Sequence, residues 1–459
     1  MPVDALLPLL RCPACEGRLD YESVVQRDAE AGECGLLRCG CAVYPVLDGV
    51  PILRGGALAH RSIADARVMA EGDAVEDVVA RVAEGHGLDA LVRLLTTPFC
   101  PWPLNRIGAF RRLSLREPLA SAGLAVRRER TRRRLSERGR LTAEDWLSAL
   151  YWHGPVSYDP FNYFFFRFGQ PRHLATLALA SALPDGAEPI LDLACGYGHV
   201  LHTLTAEGRP AVGVEQNFHQ AWVARHYVAP GAEFVCADAD APLPFRDDAF
   251  AGALCTDAFH YFEDKQGALD ELRRCADGPV LLATTGNDDV EPREGNELTP
   301  DGYAALFGDS PWRVLTEADL LGRYLDGLGP ALSASSAPEA VAEEKWLYYV
   351  VDGSESLFRD YGPFQTWPHE SGVEAINPIY ERSGDRLSLR FPSPWFAFEN
   401  RGMRAYMPET ATVSESTARD LRAGAVRVGL PRRYARPQGR PATMAANRAV
   451  SAAVAALRQ

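Results

Sequence analysis

The run Ile190–Leu201, ILDLACGYGHVL, constrains this chain more than any other stretch. Ile190, Leu191 and Leu193 form a short apolar strand signal. Gly196 and Gly198 then let the backbone turn sharply and approach a ligand with no Cβ in the way, and a helical pattern follows at once. From Pro189 the alternation continues. PILDLAC, AVGVEQ, EFVCAD, AFAGALCT and PVLLATT read as five strands, with helical stretches such as NFHQAWVARHYV and KQGALDELRRC between them. Successive βαβ units of this kind predict an α/β fold with a mainly parallel sheet, and such sheets bind ligands at the carboxyl ends of their strands. PWRVL and KWLYYVVDG are the candidate sixth and seventh strands, separated by the helical stretch TEADLLGRYLDG.

Polar residues collect at those strand ends. Asp192 lies inside the glycine run, Glu215 ends the second strand and Asp238 ends the third. An acid at the second strand end can accept hydrogen bonds from two ribose hydroxyls, and one at the third can accept an adenine amino group. Three acids around one glycine turn suit a cationic ligand without phosphates. A dinucleotide turn needs a third glycine where this chain has the bulky Leu201. S-adenosylmethionine is the ligand these residues call for. Each acid also has a plainer reading, as a turn cap, a strand-end carboxylate or a turn former.

Asp192 to Gly198, Glu215, Asp238-Ala239 with PLPF, and TDAFHYF (256–262) together resemble the class I S-adenosylmethionine-dependent methyltransferases of the small-molecule type, over about residues 160 to 290. The resemblance implies a Rossmann-like sheet of seven strands whose last strand runs antiparallel. It also implies that the turn Asp192, Ala194, Gly196 and Gly198 cradles the methionine part of the cofactor and Glu215 binds its ribose. Asp238 and Ala239 frame adenine, and Gln216 and Thr256 complete the cofactor set. Ala194 stands where the family usually has a glycine.

Ten cysteines in 459 residues do not make a disulfide scaffold, and their clustering points to metal. Cys12 and Cys15 form CPAC, and Cys39 and Cys41 follow as CGC. Two short pairs about two dozen residues apart can present four thiolates to one structural Zn2+, which would hold a segment too small for a core of its own. Cys34 is an alternative ligand. Cys100, Cys195, Cys236, Cys255 and Cys275 lie in apolar contexts that suit core packing. LRCPACEGRL and LRCGCAVYPVLDGVPIL, within Leu10–Leu53, resemble the zinc-ribbon family of methyltransferase activator subunits, with CxC where that family has a second CxxC. The resemblance implies a structural or docking element.

The chain length predicts several units, and the 47% hydrophobic content is ample for their cores. The expected division is a zinc ribbon over 1–55, a helical linker or cap over 56–156, the methyltransferase domain over 157–350 and an accessory extension over 351–459. Within 56–150, ADARVMAEGDAVEDVVARVAEGHGLDALVRLL reads as helical, and TTPFCPWPLNRIG breaks the pattern with prolines. SYDPFNYFFFRFGQPRH (157–173) is dense in aromatics that either pack between domains or wall a ligand site. Asn377-Pro378 and Tyr380 look like an amine-methylating signature but lie far from the fourth strand where it belongs.

Net charge of −13 argues against a nucleic-acid partner, although arginines crowd Arg106–Arg140. They read as a solvated helix paired locally with Glu129 and Glu137, or as an anion-binding face. No run reaches the roughly 18 apolar residues of a membrane span, so no membrane role and a cytoplasmic location are expected. A small-molecule acceptor is the expected substrate, methylated at oxygen or carbon rather than nitrogen. The alternatives are RNA or protein methylation, and a protein with the cofactor fold that does not transfer methyl groups. His260, with Asp257 to orient it or the substrate, is the candidate base, against a reading of His260 as a packed core residue. The ribbon and the C-terminal extension are the expected surfaces for a homodimer or a partner protein.

Overall fold

The computed structural model opens with a four-stranded antiparallel sheet, β1 (Asp20–Ser23), β2 (Gly35–Arg38), β3 (Val43–Leu47) and β4 (Val50–Pro51), in that order. The structure describes residues 3–58, 60–61, 68–70, 72–97, 116–151, 158–290, 296–334, 337–414 and 425–435. They group into two units, Met1–Thr97 with Ala175–Pro368, and Pro98–Leu174 with His369–Gln459.

A short hairpin follows the ribbon, β5 (His60–Arg61) against β6 (Val68–Ala70). The helical reading of 64–95 is therefore corrected at its start. Leu58 N–H donates to Asp73 O, and any side chain at Gly72 would strike the Leu58 carbonyl, so the chain doubles back before a helix can begin. Helices then occupy Val75–Ala83 and Gly87–Leu95. The first buries Val75, Val78 and Val82, one face of a 3.6-residue period. Residues 98–108 of the proline break, Cys100 and Ser157 lie outside the described residues.

The central sheet of the first unit has seven strands: β7 (Ile190–Leu193), β8 (Ala211–Glu215), β9 (Glu233–Cys236), β10 (Gly252–Thr256), β11 (Val280–Gly286), β12 (Trp312–Thr316) and β13 (Trp346–Val351). Their order is β12-β13-β11-β10-β7-β8-β9. Pairings from β9 to β11 are parallel, and β13 runs antiparallel to both neighbours. β7, β8 and β9 are buried along their whole length, as parallel strands covered on both faces must be. After β12 the chain switches to helix through a capping box in which Thr316 and Asp319 satisfy each other's backbone N–H.

The ribbon lies against the β9 edge of this sheet. Ile52 bridges Cys236 in parallel, and Leu53 N–H donates to Cys236 O at 2.9 Å. The N-terminal segment hooks onto the loop beyond β9, with Arg11 N–H on Pro244 O and Arg246 N–H on Leu9 O. Leu10, Leu37, Tyr44, Val46 and Leu53 belong to the same buried cluster as Leu191, Val212, Val235 and Leu282. Two polar contacts secure the join. Trp222 Nε1 donates to Asp48 Oδ2 at 2.9 Å, and buried Arg225 pairs with Glu233 at 2.5 Å beneath Gly49.

The second unit carries β14 (Val373–Ile376) paired with β18 (Arg427–Leu430), and a three-stranded sheet of β15 (Tyr380–Ser383), β16 (Arg386–Leu389) and β17 (Thr410–Thr412). Phe161, Phe164, Phe165, Phe166 and Phe168 are all buried in it, and Phe165 stacks on Tyr434, whose hydroxyl donates to Phe164 O and Phe165 O. Asn377 is fully buried and donates to Gly169 O and Ala425 O, which makes it a turn-fixing residue of this unit. In the arginine-rich helix Arg116–Ser136, Glu129 pairs with Arg133 one turn on. Among the described residues no helix is long and apolar enough to cross a membrane.

Asp48→Ala should destabilise the protein by about 2 kcal/mol, because it leaves the buried Trp222 N–H without its acceptor. Urea unfolding followed by tryptophan fluorescence measures this.

Candidate cofactor and active site

The turn after β7 is built from left-handed backbone. Ala194, Gly196 and Gly198 have φ of 57°, 55° and 72°. Glycine adopts this region freely, whereas Ala194 holds it at a cost of about 1 kcal/mol. A Cβ at Gly198 would meet the Phe234 ring at 3.1 Å. Leu201 is buried and packs toward Gly213, where an added Cβ would lie 2.6 Å from it. The small residue that lets helix and sheet come close thus sits on β8, and Leu201 fills the space a third glycine would leave.

Two acids lie beneath the turn. Glu215 accepts Gly196 N–H at 3.0 Å through one oxygen and Asn217 N–H at 2.9 Å through the other. Burial pushes its carboxyl up to about 7, against the lowering effect of those backbone bonds. Asp192 is 2% exposed, and burial, then the neighbouring Glu215, raises it well above the ordinary carboxylate range. Its Oδ1 is buried without a hydrogen-bond partner among the described residues, as is the hydroxyl of Thr256 at the end of β10. An orphan carboxylate oxygen of this kind suits a cationic ligand. Gln216, Asp238 and Ala239 are half-buried at the ends of β8 and β9. The fold therefore brings all nine expected cofactor residues to the carboxyl ends of β7, β8, β9 and β10.

Asp257 directly follows β10 in a left-handed conformation, with φ of 56°. His260 sits in the short 3-10 turn Phe259–Tyr261, 1% exposed. Its ring centroid is 4.0 Å from that of Tyr261 and 6.0 Å from that of Trp346, and Gly286 leaves room beside it. Lys265, buried and lowered to about 8 by that burial, donates to the carbonyls of His260 and Phe262 and fixes the loop.

At the ribbon, the Sγ atoms of Cys12, Cys15, Cys39 and Cys41 all lie within 4.8 Å of one another. Cys12–Cys41 is 3.6 Å, Cys15–Cys39 is 3.8 Å and Cys39–Cys41 is 3.3 Å. Tetrahedral thiolates at about 2.3 Å from zinc would be roughly 3.8 Å apart, so this donor set fits that ion. Cys34 lies apart, its thiol on Ala31 O, and burial pushes it up to about 11. Sequence reasoning overlooked Arg54, whose guanidinium lies 3.4 Å from Asp238. Its signal was its position three residues past Pro51, where the ribbon leaves its last strand.

Residues 191–279 match a family model described as a methyltransferase domain. Among solved structures, the chain is similar to a chain of the complex between the Haloferax volcanii Trm112 methyltransferase activator and a methyltransferase, at 20% identity over 43% of this chain and 98% of that one, TM-score 0.33. It is also similar to the YcgJ protein from Bacillus subtilis, at 19% identity over 40% and 99%, TM-score 0.28. A third is a TehB-like S-adenosylmethionine-dependent methyltransferase from Corynebacterium glutamicum, at 18% identity over 40% and 88%, TM-score 0.27. No curated protein matches the chain. With the seven-stranded sheet, the family match defines a class I S-adenosylmethionine-dependent methyltransferase domain. Residues 191–279 thus lie in a methyltransferase domain.

Because folded Glu215 keeps its proton to about pH 7 and an unfolded glutamate loses it near 4.3, the folded state binds the extra proton between those values. Its contribution to stability is complete below the lower value and is lost as pH rises through the upper one. Glu215→Gln should flatten this part of the profile. Urea midpoints at pH 5 and pH 8 should differ less in the variant than in the parent protein.

Proposed function

We propose that this methyltransferase transfers the methyl group of S-adenosylmethionine to an oxygen or carbon atom of a small molecule. The observation that carries this reading is the burial of His260 among Tyr261, Trp346 and Gly286 directly after β10. A 1% exposed imidazole is reached more readily by a small molecule than by a folded polymer. The net charge of −13 also disfavours a polyanionic substrate.

Bound S-adenosylmethionine supplies a methyl group already activated on a sulfonium. What remains for the chain is binding, alignment and one proton. Asp192 would hold the cationic end with its unpartnered oxygen, and the turn Ala194, Gly196 and Gly198 lets the backbone approach. Glu215 would accept from the ribose hydroxyls, Asp238 and Ala239 would frame the base, and Gln216 and Thr256 complete the site. His260 takes the acceptor's proton, and Asp257 orients the imidazole or the acceptor.

Calorimetry should show binding of S-adenosylmethionine and its demethylated product but not of NAD, with Glu215→Ala weakening it by roughly 1.5 to 3 kcal/mol. Radiolabelled methyl transfer, run in parallel on cell metabolites, RNA and protein, then assigns the acceptor. Label confined to RNA or protein overturns the small-molecule reading, and no label anywhere overturns methyl transfer.

His260→Ala should lower turnover by roughly a hundredfold while cofactor affinity and melting temperature stay near those of the parent. Normal turnover would make His260 a packing residue. The four thiolates of Cys12, Cys15, Cys39 and Cys41 hold one structural zinc in this reading. Metal analysis of protein purified without added zinc should find close to one ion per chain, and Cys12→Ser should lose both the ion and stability. Retention of metal by Cys41→Ser with loss by Cys34→Ser would replace Cys41 in the ligand set.

A further inference from the structure

Arg54 is a buried cation with work left undone. Its side chain is 10% exposed, and among the described residues only its Nη2 has a charged neighbour, Asp238 Oδ2 at 3.4 Å. Nε and Nη1 are buried with no hydrogen-bond partner among the described residues. A guanidinium has five N–H donors and cannot shed its proton, so two buried nitrogens without acceptors are costly unless a ligand supplies them. Beside this residue lies a cavity of about 640 Å³ between the ribbon and the loop beyond β9. Tyr44, Leu53, Val79 and Pro242 give it apolar walls, and its charged lining residues are Arg54, Asp238 and Glu76.

Arg54 reaches this position because the ribbon pairs with the sheet. Ile52 bridges Cys236 and Leu53 donates to the Cys236 carbonyl, so Arg54 runs alongside Ala237 and Asp238. A donor from one element and an acceptor from the other therefore stand next to each other at the proposed adenine end of the cofactor site. Adenine presents the complement on one edge, the N7 acceptor beside the N6 amino donor. We infer that Arg54 is a specificity-determining residue of the cofactor site: it donates to adenine N7 while Asp238 accepts from N6, so that the zinc ribbon itself reads the base. The inference rests on the assignment of Asp238 to the adenine amino group. It extends that assignment with a residue from outside the methyltransferase sheet.

The test needs no turnover. S-adenosylhomocysteine and its 7-deaza analogue, in which C–H replaces N7, are titrated by calorimetry into the full-length protein. The parent should bind the 7-deaza compound roughly tenfold more weakly, because one charge-assisted hydrogen bond is lost and a buried N–H stays unpaired. Arg54→Met keeps the packing of the aliphatic stem and removes every donor. It should bind S-adenosylhomocysteine roughly tenfold more weakly than the parent does and bind the two ligands equally. Arg54→Ala serves as a second variant, with a melting curve for each. Equal binding of the two ligands by the parent protein overturns the inference, as does a preference that survives in the folded variants. Failure of the parent to bind either ligand would instead remove the cofactor assignment, and the inference with it.

Discussion

The pairing of the ribbon with the β9 edge is the contact on which the rest of the first unit depends. An open parallel sheet ends in unpaired backbone groups, and such an edge must be covered or it becomes a site for unwanted pairing. Here the segment after β4 covers it through Ile52 and Leu53, and the N-terminal hook through Arg11 and Arg246 closes the loop beyond. The ribbon in turn shares its core with the sheet: Leu10, Leu37, Tyr44 and Val46 belong to the same buried cluster as Leu191 and Val235. Four cysteines at one end and a shared core at the other are what a segment of about fifty residues needs to hold a fold.

The same join shapes the electrostatics of the ligand end. Asp48, Trp222, Arg225 and Glu233 tie the ribbon turn to the helix and strand that flank β8 and β9. Arg54 is carried to Asp238 by the same register. Deeper in, Asp192 and Glu215 sit close together in a dry place, and both are pushed toward their neutral forms by burial. A cation bound there would favour their ionised forms, so ligand charge and site charge are coupled. Glu215 meanwhile satisfies the backbone of the glycine turn.

Much of this was legible from one-dimensional pattern. Continuous apolar runs ending in acids marked β7, β8 and β9, because a parallel strand is buried on both faces and changes character only where it reaches the ligand edge. The strand Val68–Ala70 was not legible, because its segment reads as the start of a helix. Its apolar spacing is compatible with a helix, and what overrides it is a long-range contact, Leu58 against Gly72 and Asp73. Asn377 read as a misplaced signature, and its buried bonds to Gly169 and Ala425 could not be foreseen, since those partners lie far away in sequence.

What the sequence determined by itself was chemistry with local causes: the glycine turn at Gly196 and Gly198, the acids at strand ends, and the paired cysteines at 12, 15, 39 and 41. Each depends on residue type and short spacing, which a chain carries with it before folding. Only the tertiary structure decided that Cys34 stands apart from the other four thiols, and that Ala194 holds a glycine's conformation. It alone decided that Arg54 lies against Asp238. That last outcome is set by strand register and by packing between segments nearly two hundred residues apart, and no local pattern encodes the distance between such partners.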